Sequence, residues 1–154
     1  DDGIISYGPL PSHPVLESPA PFRWAQFDRT LLKPVGPAHK GKGLILNRRP
    51  WLDGAFETNW VRVGHCLLPP GTSIGYHRHD GIEEVYCILS GSGRSTVNGL
   101  TSDVRAGDVI PCTIHDSHGI FNNASHDLDI MVIVVAMEKG KLDNTDWGDD
   151  LTGK

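Results

Sequence analysis

The sequence predicts an all-β chain whose strands form a sandwich or barrel of two antiparallel sheets. Three observations predict it. Short apolar segments recur about every eight to twelve residues from residue 56 onward. Glycine- and proline-bearing turn signals separate them, with 18 Gly and 11 Pro in 154 residues. No stretch carries the spacing of a long amphipathic helix. The length suits one hydrophobic core, and no internal repeat marks a second.

Residues 1–55 read as an extended N-terminal arm. Eight of the eleven prolines fall there: Pro9, Pro11, Pro14, Pro19, Pro21, Pro34, Pro37 and Pro50. Proline lacks an N–H and has a fixed φ, so a long helix or an interior strand is not expected. Phe22, Trp24 and Phe27 are candidate anchors onto the chain's own barrel or a neighbour's. Residues 56–137 carry the strands. Trp60–Leu68 ends at Pro69-Pro70-Gly71, and Ser73–His79 ends at the Asp80-Gly81 turn. Glu84–Leu89 closes at Gly91-Ser92-Gly93. Arg94–Val97 and Leu100–Val104 flank Asn98-Gly99, the strongest hairpin signal in the chain. Gly107-Asp108 precedes Val109-Ile110, and His118–Phe121 and Leu128–Ala136 complete the set. Residues 138–154, with Asp143, Asp146, Asp149 and Asp150, read as a polar tail or surface turn.

Charge and apolar runs exclude some functions. The net charge is −5, and no basic block exceeds Arg48-Arg49, which argues against a nucleic-acid surface. The longest apolar run, Ile130 to Met137, is too short to span a bilayer and suits a buried strand. The N-terminus is acidic and proline-rich rather than signal-like. Cys66, Cys87 and Cys112 are odd in number, lack C-x-x-C spacing and sit in apolar segments. They read as reduced, buried thiols of a cytoplasmic protein.

The chemistry concentrates between Gly71 and Glu84. Alternate side chains of a strand share a face, so His77 and His79 project together, close enough to share a metal ion. A lone H-x-H pair is more often surface or a bonded core pair. Here the Asp80-Gly81 turn returns the chain, so that a carboxylate just beyond it can lie beside both imidazoles. Glu83 and Glu84 compete for that place, and parity does not separate them, because both faces are apolar beyond the glutamate.

The stretch resembles the first cupin motif, in which a glycine, two histidines, a glutamate and a second glycine recur at fixed spacing. Gly71, His77, His79, Glu84 and Gly91 fill every fixed position, and the resemblance selects Glu84. Downstream, Gly107, His118 and Asn122 fit the second motif, while Thr113 stands in place of its proline and His115 in place of its second glycine. The similarity covers about residues 60–137. It implies a single cupin jelly-roll β-barrel. It also implies one divalent transition metal ion per chain, held by His77, His79, Glu84 and His118. Three imidazoles and a carboxylate suit Fe, Mn, Ni, Cu or Zn.

Other candidates follow from register. Val61, Val63, His65 and Leu67 share a face that the resemblance points inward. His65 is then a catalytic candidate, as an acid–base or as a group holding a ligand; a core histidine bonded to backbone is the alternative. Tyr86 shares Glu84's face and is a candidate hydrogen-bond donor to substrate, or an aromatic filler of the barrel. His115 and Asp116 sit at the expected rim. No chemical role is expected of His13, His39 or His126. The expected function is a metal-dependent enzyme acting on a small oxygen-rich molecule, with a lean to dioxygenase chemistry. A redox-silent isomerase, lyase or polyketide-type cyclase is one alternative, and a non-catalytic small-ligand-binding cupin is another. The expected partners are a small-molecule substrate and a second copy in a homodimer, with no nucleic acid and no membrane.

Overall fold

A computed structural model describes residues 22–154. The arm's prolines up to Pro21, and His13, lie outside the described residues. Eleven strands are described: β1 (Lys33–Val35), β2 (Ile45–Leu52), β3 (Trp60–Leu68), β4 (Ser73–Arg78), β5 (Ile82–Ser90), β6 (Ser92–Val97), β7 (Leu100–Arg105), β8 (Val109–Cys112), β9 (Ser117–Phe121), β10 (Leu128–Ala136) and β11 (Thr145–Asp146). They form a six-stranded sheet, β1-β2-β3-β10-β5-β8, and a five-stranded sheet, β11-β4-β9-β6-β7. Every pairing is antiparallel. The fold is a jelly roll.

The core lies between the inner faces of the two sheets. Leu68, Ile82, Ile120, Leu128, Ile130 and Val134 are essentially inaccessible to solvent. Each such side chain contributes about 1.5–3 kcal/mol through burial. Alternation along β5 sets the faces: Ile82, Glu84, Tyr86 and Ile88 are buried, and Glu83 is exposed. The Asn98-Gly99 signal forms a two-residue hairpin between Val97 and Leu100. Both turn residues have positive φ, 48° and 79°, as the twist of the flanking strands requires.

The proline-rich stretch departs from expectation at β2. This strand lies between β1 and β3, one position in from the sheet edge. Pro50 is accommodated because the β2–β3 register shifts between Arg48 and Trp51, where the ladder needs no donor. A second shift opposite Val134 and Val135 leaves Val61 as an extra residue on β3. Val61 packs in the core, but parity reverses beyond it, so Gly64 and Cys66 face inward and His65 faces outward. The inward face expected for His65 is corrected by that single bulge.

The C-terminal residues return to the five-stranded sheet. Thr145 and Asp146 pair with Arg78 and His77. Leu151 is 1% exposed, and its side chain fills the space over Gly119. No described helix is long and apolar enough to cross a membrane.

Candidate metal centre

β4 delivers His77 and, one residue past its end, His79 after the intervening Arg78. In the β4–β9 register His77 lies opposite His118, and Glu84 reaches in from β5 on the facing sheet. Their four potential ligand atoms lie within 4.8 Å of one another. Glu84 Oε2 is 3.3 Å from His79 Nε2 and 4.0 Å from His118 Nε2. All four residues are buried.

Two imidazoles are oriented from behind. His77 Nδ1 lies 2.7 Å from the Gly75 carbonyl oxygen, and His79 Nδ1 lies 2.7 Å from that of Asp143. A carbonyl only accepts, so each Nδ1 carries the proton and each Nε2 keeps its lone pair toward the centre. Both Nε2 atoms, and both ring nitrogens of His118, are buried without a hydrogen-bond partner among the described residues. Orphaned buried nitrogens are costly in a folded chain. Three of them converging on a carboxylate fit a divalent transition metal, and the nitrogen–oxygen donor set suits Fe, Mn, Ni, Cu or Zn.

The electrostatics favour the ligand forms of His77, His118 and Glu84. Burial, with His118 and His39 nearby, pushes the pKa of His77 down to about 3. Burial also takes His118 down to about 4 against the pull of Glu84. Burial opposes ionisation of Glu84, but His79, His118 and His77 outweigh it and lower its pKa to about 2. Burial likewise opposes charge on His79, yet Glu84 and Asp143 raise its pKa overall. Near neutral pH His77 and His118 are therefore neutral and Glu84 is ionised, the states that metal ligation requires.

A cavity of about 210 Å³ opens beside the cluster, lined by Glu84, Tyr86, His39, Arg49, Arg62 and Ile74 among others. Tyr86 is 1% exposed, and its ring stacks on His118 with centroids 4.7 Å apart. Burial and the adjacent Glu84 raise its pKa well above the ordinary value, so it keeps its proton and is a donor. His65 is not brought to this centre. It lies on the outer face of β3, stacked on Phe27 at 4.8 Å, with Nε2 2.7 Å from Asp129 Oδ1.

The remaining candidates have structural partners. His115 bonds exposed Asp80, and Asp116 accepts from Asn98 and Thr113. His115 has φ 74°, so it adopts the left-handed conformation of the glycine it replaces. Asn122 donates to the carbonyls of Leu68 and His126, stitching the end of β9 to that of β3. Cys66 lines the cavity, and burial raises its pKa to about 12. The three cysteines are unpaired.

His39, expected to be chemically silent, stacks on His77 with centroids 3.6 Å apart and planes within 7°. Its Nδ1 is 2.8 Å from Asp146 Oδ1 on the C-terminal segment. A close backbone approach holds it there. A Cβ on Gly75 would lie 2.1 Å from the His39 carbonyl oxygen, and one on Gly41 would lie 2.3 Å from that of Ser73. No local pattern announces His39 or Asp143: His39 bonds Asp146 across 107 residues, and the Asp143 carbonyl bonds His79 across 64.

Comparison with known proteins agrees with this architecture. Residues 64–135 match the family model described as a cupin domain. An oxalate-binding protein from Thermotoga maritima is 39% identical over 70 residues. That match covers 46% of this chain and 58% of the relative, so the chain spans less than two thirds of the relative's length. The crystal structure of a predicted oxalate decarboxylase from Thermotoga maritima superposes with a TM-score of 0.67 and 29% identity, covering 69% of this chain and 92% of that one. A Cupin 2 conserved barrel domain protein from Salinispora arenicola, at 16% identity, shares the fold with a TM-score of 0.59, covering 75% of this chain and 90% of that one. A jelly roll of two antiparallel sheets, with a buried His–His–Glu–His cluster inside the matched segment, places this chain in the cupin superfamily.

Proposed function

We propose that the chain holds one divalent transition metal ion on His77, His79, Glu84 and His118 and uses it to bind and activate a small oxygen-rich acid of the oxalate type. The observation that carries this reading is the convergence of orphaned, buried imidazole nitrogens on one carboxylate at the wall of a small cavity. The names of the two Thermotoga relatives support the choice of acid. A bound ion of this kind supplies Lewis acidity toward substrate oxygens. The chain's own residues do the rest. Ile74 and Val132 give the cavity apolar walls, and Tyr86 offers its O–H to a substrate oxygen. His65 points away from the cavity, toward Phe27 and Asp129, and does not share this task directly. Any role it has is to brace β3 and β10 through Asp129.

The relative named for oxalate binding favours a second reading, in which the acid is held but not turned over. The experiment is metal analysis of chelator-free protein, followed by calorimetry with oxalate and assay of its breakdown products. Roughly one metal ion per chain and metal-dependent oxalate binding are expected, with product formation marking the enzyme. Binding without product supports the second reading. Oxygen uptake during turnover separates dioxygenase chemistry from an isomerase, lyase or cyclase reaction. No metal uptake even after refilling, or oxalate binding unchanged in Glu84→Gln, overturns the proposal.

A homodimer and a cytoplasmic location belong to the same proposal. The outer face of the six-stranded sheet carries half-buried Val85, Met131 and Ile133 beside exposed Leu89 and Val109, which suits a second copy. The unpaired thiols suit a reducing compartment.

A further inference from the structure

Arg49 and Arg62 both line the cavity that holds Glu84 and Tyr86. Arg23, Arg29, Arg48, Arg78 and Arg94 each bond a carbonyl or carboxylate elsewhere. Among the described residues Arg49 and Arg62 have no such partner. They are close enough to interact: partial burial, and then the charge of Arg62, lower the pKa of Arg49, against the opposing influence of Cys66 and Glu84. Two neighbouring guanidiniums repel, and an anion bound between them offsets that repulsion; Arg49 is itself solvent-exposed and Arg62 half-buried. The carboxylate lining the cavity, Glu84, is turned to the imidazoles.

Strand register gives the separation. Arg62 on β3 lies opposite Val134 on β10, and Val134 lies opposite Glu84 on β5. Arg62 and Glu84 are therefore two strand spacings apart, about 9–10 Å at the backbone. The register shift in β2 leaves Arg49 and Pro50 together against the single residue Gly64, two places along β3 from Arg62. Gly64 leaves the floor between them open, since a Cβ there would meet nothing closer than 3.7 Å. The cavity, about 210 Å³, is smaller than the roughly 300–1,000 Å³ of sites for drug-sized ligands, which limits the occupant to a few carbons.

We propose that Arg49 and Arg62 form an anion subsite across the cavity from the metal ligands, so that the pocket selects small dianions. One acidic group sits at the His77–His79–Glu84–His118 cluster, and the other lies on the guanidinium pair, whose planar forks match a carboxylate. This rests on the reading that the cluster holds a metal ion and takes a carboxylate.

The test is calorimetry on manganese-loaded protein with oxalate, malonate and succinate, each against its monomethyl ester. Arg49→Gln, Arg62→Gln and the double variant run in parallel. At least one diacid binds about tenfold or more tightly than its monoester in the wild-type protein, because charge-assisted bonds are lost with the ester. Each single variant loses most of that preference, and the double variant loses all of it while binding the monoester unchanged. Neither arginine has a native partner to lose, so the double variant melts at or above the wild-type temperature. Equal binding of diacid and monoester by the wild-type protein overturns the subsite, as do glutamine variants that keep the preference. If monoesters and diacids bind equally but only with metal, the metal reading stands and the subsite falls. If an arginine-dependent preference persists without metal and in Glu84→Gln, the subsite stands and the metal reading falls. If no acid binds in any form, both fall.

Discussion

Gly75→Ala probes the backing of the metal centre without touching a ligand. The added methyl would lie 2.1 Å from the His39 carbonyl oxygen and 2.8 Å from the Gly41 nitrogen, where ordinary contact begins at 3.4 Å. The obstructing atoms are backbone, so the 38–41 loop must retreat by about 1.3 Å, the difference between 2.1 and 3.4 Å. Overpacking of this kind costs about 1–3 kcal/mol. For a domain of this size that lowers Tm by about 3–10 °C. The retreat carries His39 away from His77 and from Asp146, and it strains the Gly75 carbonyl that holds His77 Nδ1. Loss of such outer support costs about 10–100-fold in metal affinity. Thermal melts of metal-free protein and competition titration with a chelating dye read the two effects separately. Wild-type Tm and wild-type metal affinity in Gly75→Ala would refute the close approach and the bracing role of the loop together. A lowered Tm with unchanged affinity would leave the approach intact and refute only the bracing.

The remaining predictions concern the ligands, acid stability and assembly. His118→Ala and Glu84→Gln should each lower metal occupancy sharply by elemental analysis, while exposed Glu83→Gln leaves it unchanged; the reverse order for the glutamates would refute the ligand assignment. Burial opposes ionisation of Asp129, but bonds from His65, Arg29 and Ser90 outweigh it and lower its pKa. A carboxylate lowered in this way adds stability above its unfolded pKa of about 3.9 and loses it as pH falls through the folded value. Asp129→Asn should therefore cost about 1.5–3 kcal/mol near neutral pH. Its Tm should depend less on pH below about 4 than the wild-type Tm does, which melts across that range will check. Light scattering should give the mass of a dimer, and a monomeric mass would remove the homodimer from the proposal.

Legibility followed the range of the contacts. β3 and β10 are readable to the residue, because each is an apolar run bounded by turn signals, and Asn98-Gly99 marks its own hairpin. His77, His79 and Glu84 are legible because a two-residue period and a fixed motif act within a single strand and its return, and His118 through the second motif on β9. The face of His65 was not, because one extra residue at Val61 reverses parity and nothing local announces it. β2 was hidden behind Pro50, which composition reads as a breaker and the register shift absorbs. His39 and Asp143 were out of reach for another reason. Polar residues in a proline-rich stretch and in an acidic tail acquire meaning only once both segments lie against β4.

That convergence of the 38–41 loop and of residues 143–146 on β4 also orders events in time. β10 pairs with β3 on one side and β5 on the other, so the larger sheet cannot zip until residue 136 is available. The His39–Asp146 contact then closes a loop of 107 residues. Chains dominated by such distant pairings fold slowly, on the order of milliseconds to seconds. A nascent chain that has just passed His118 possesses every ligand, yet His79 still lacks the Asp143 carbonyl that fixes its tautomer. The His77–His79–Glu84–His118 set is thus fully oriented only once Asp143 has joined the barrel.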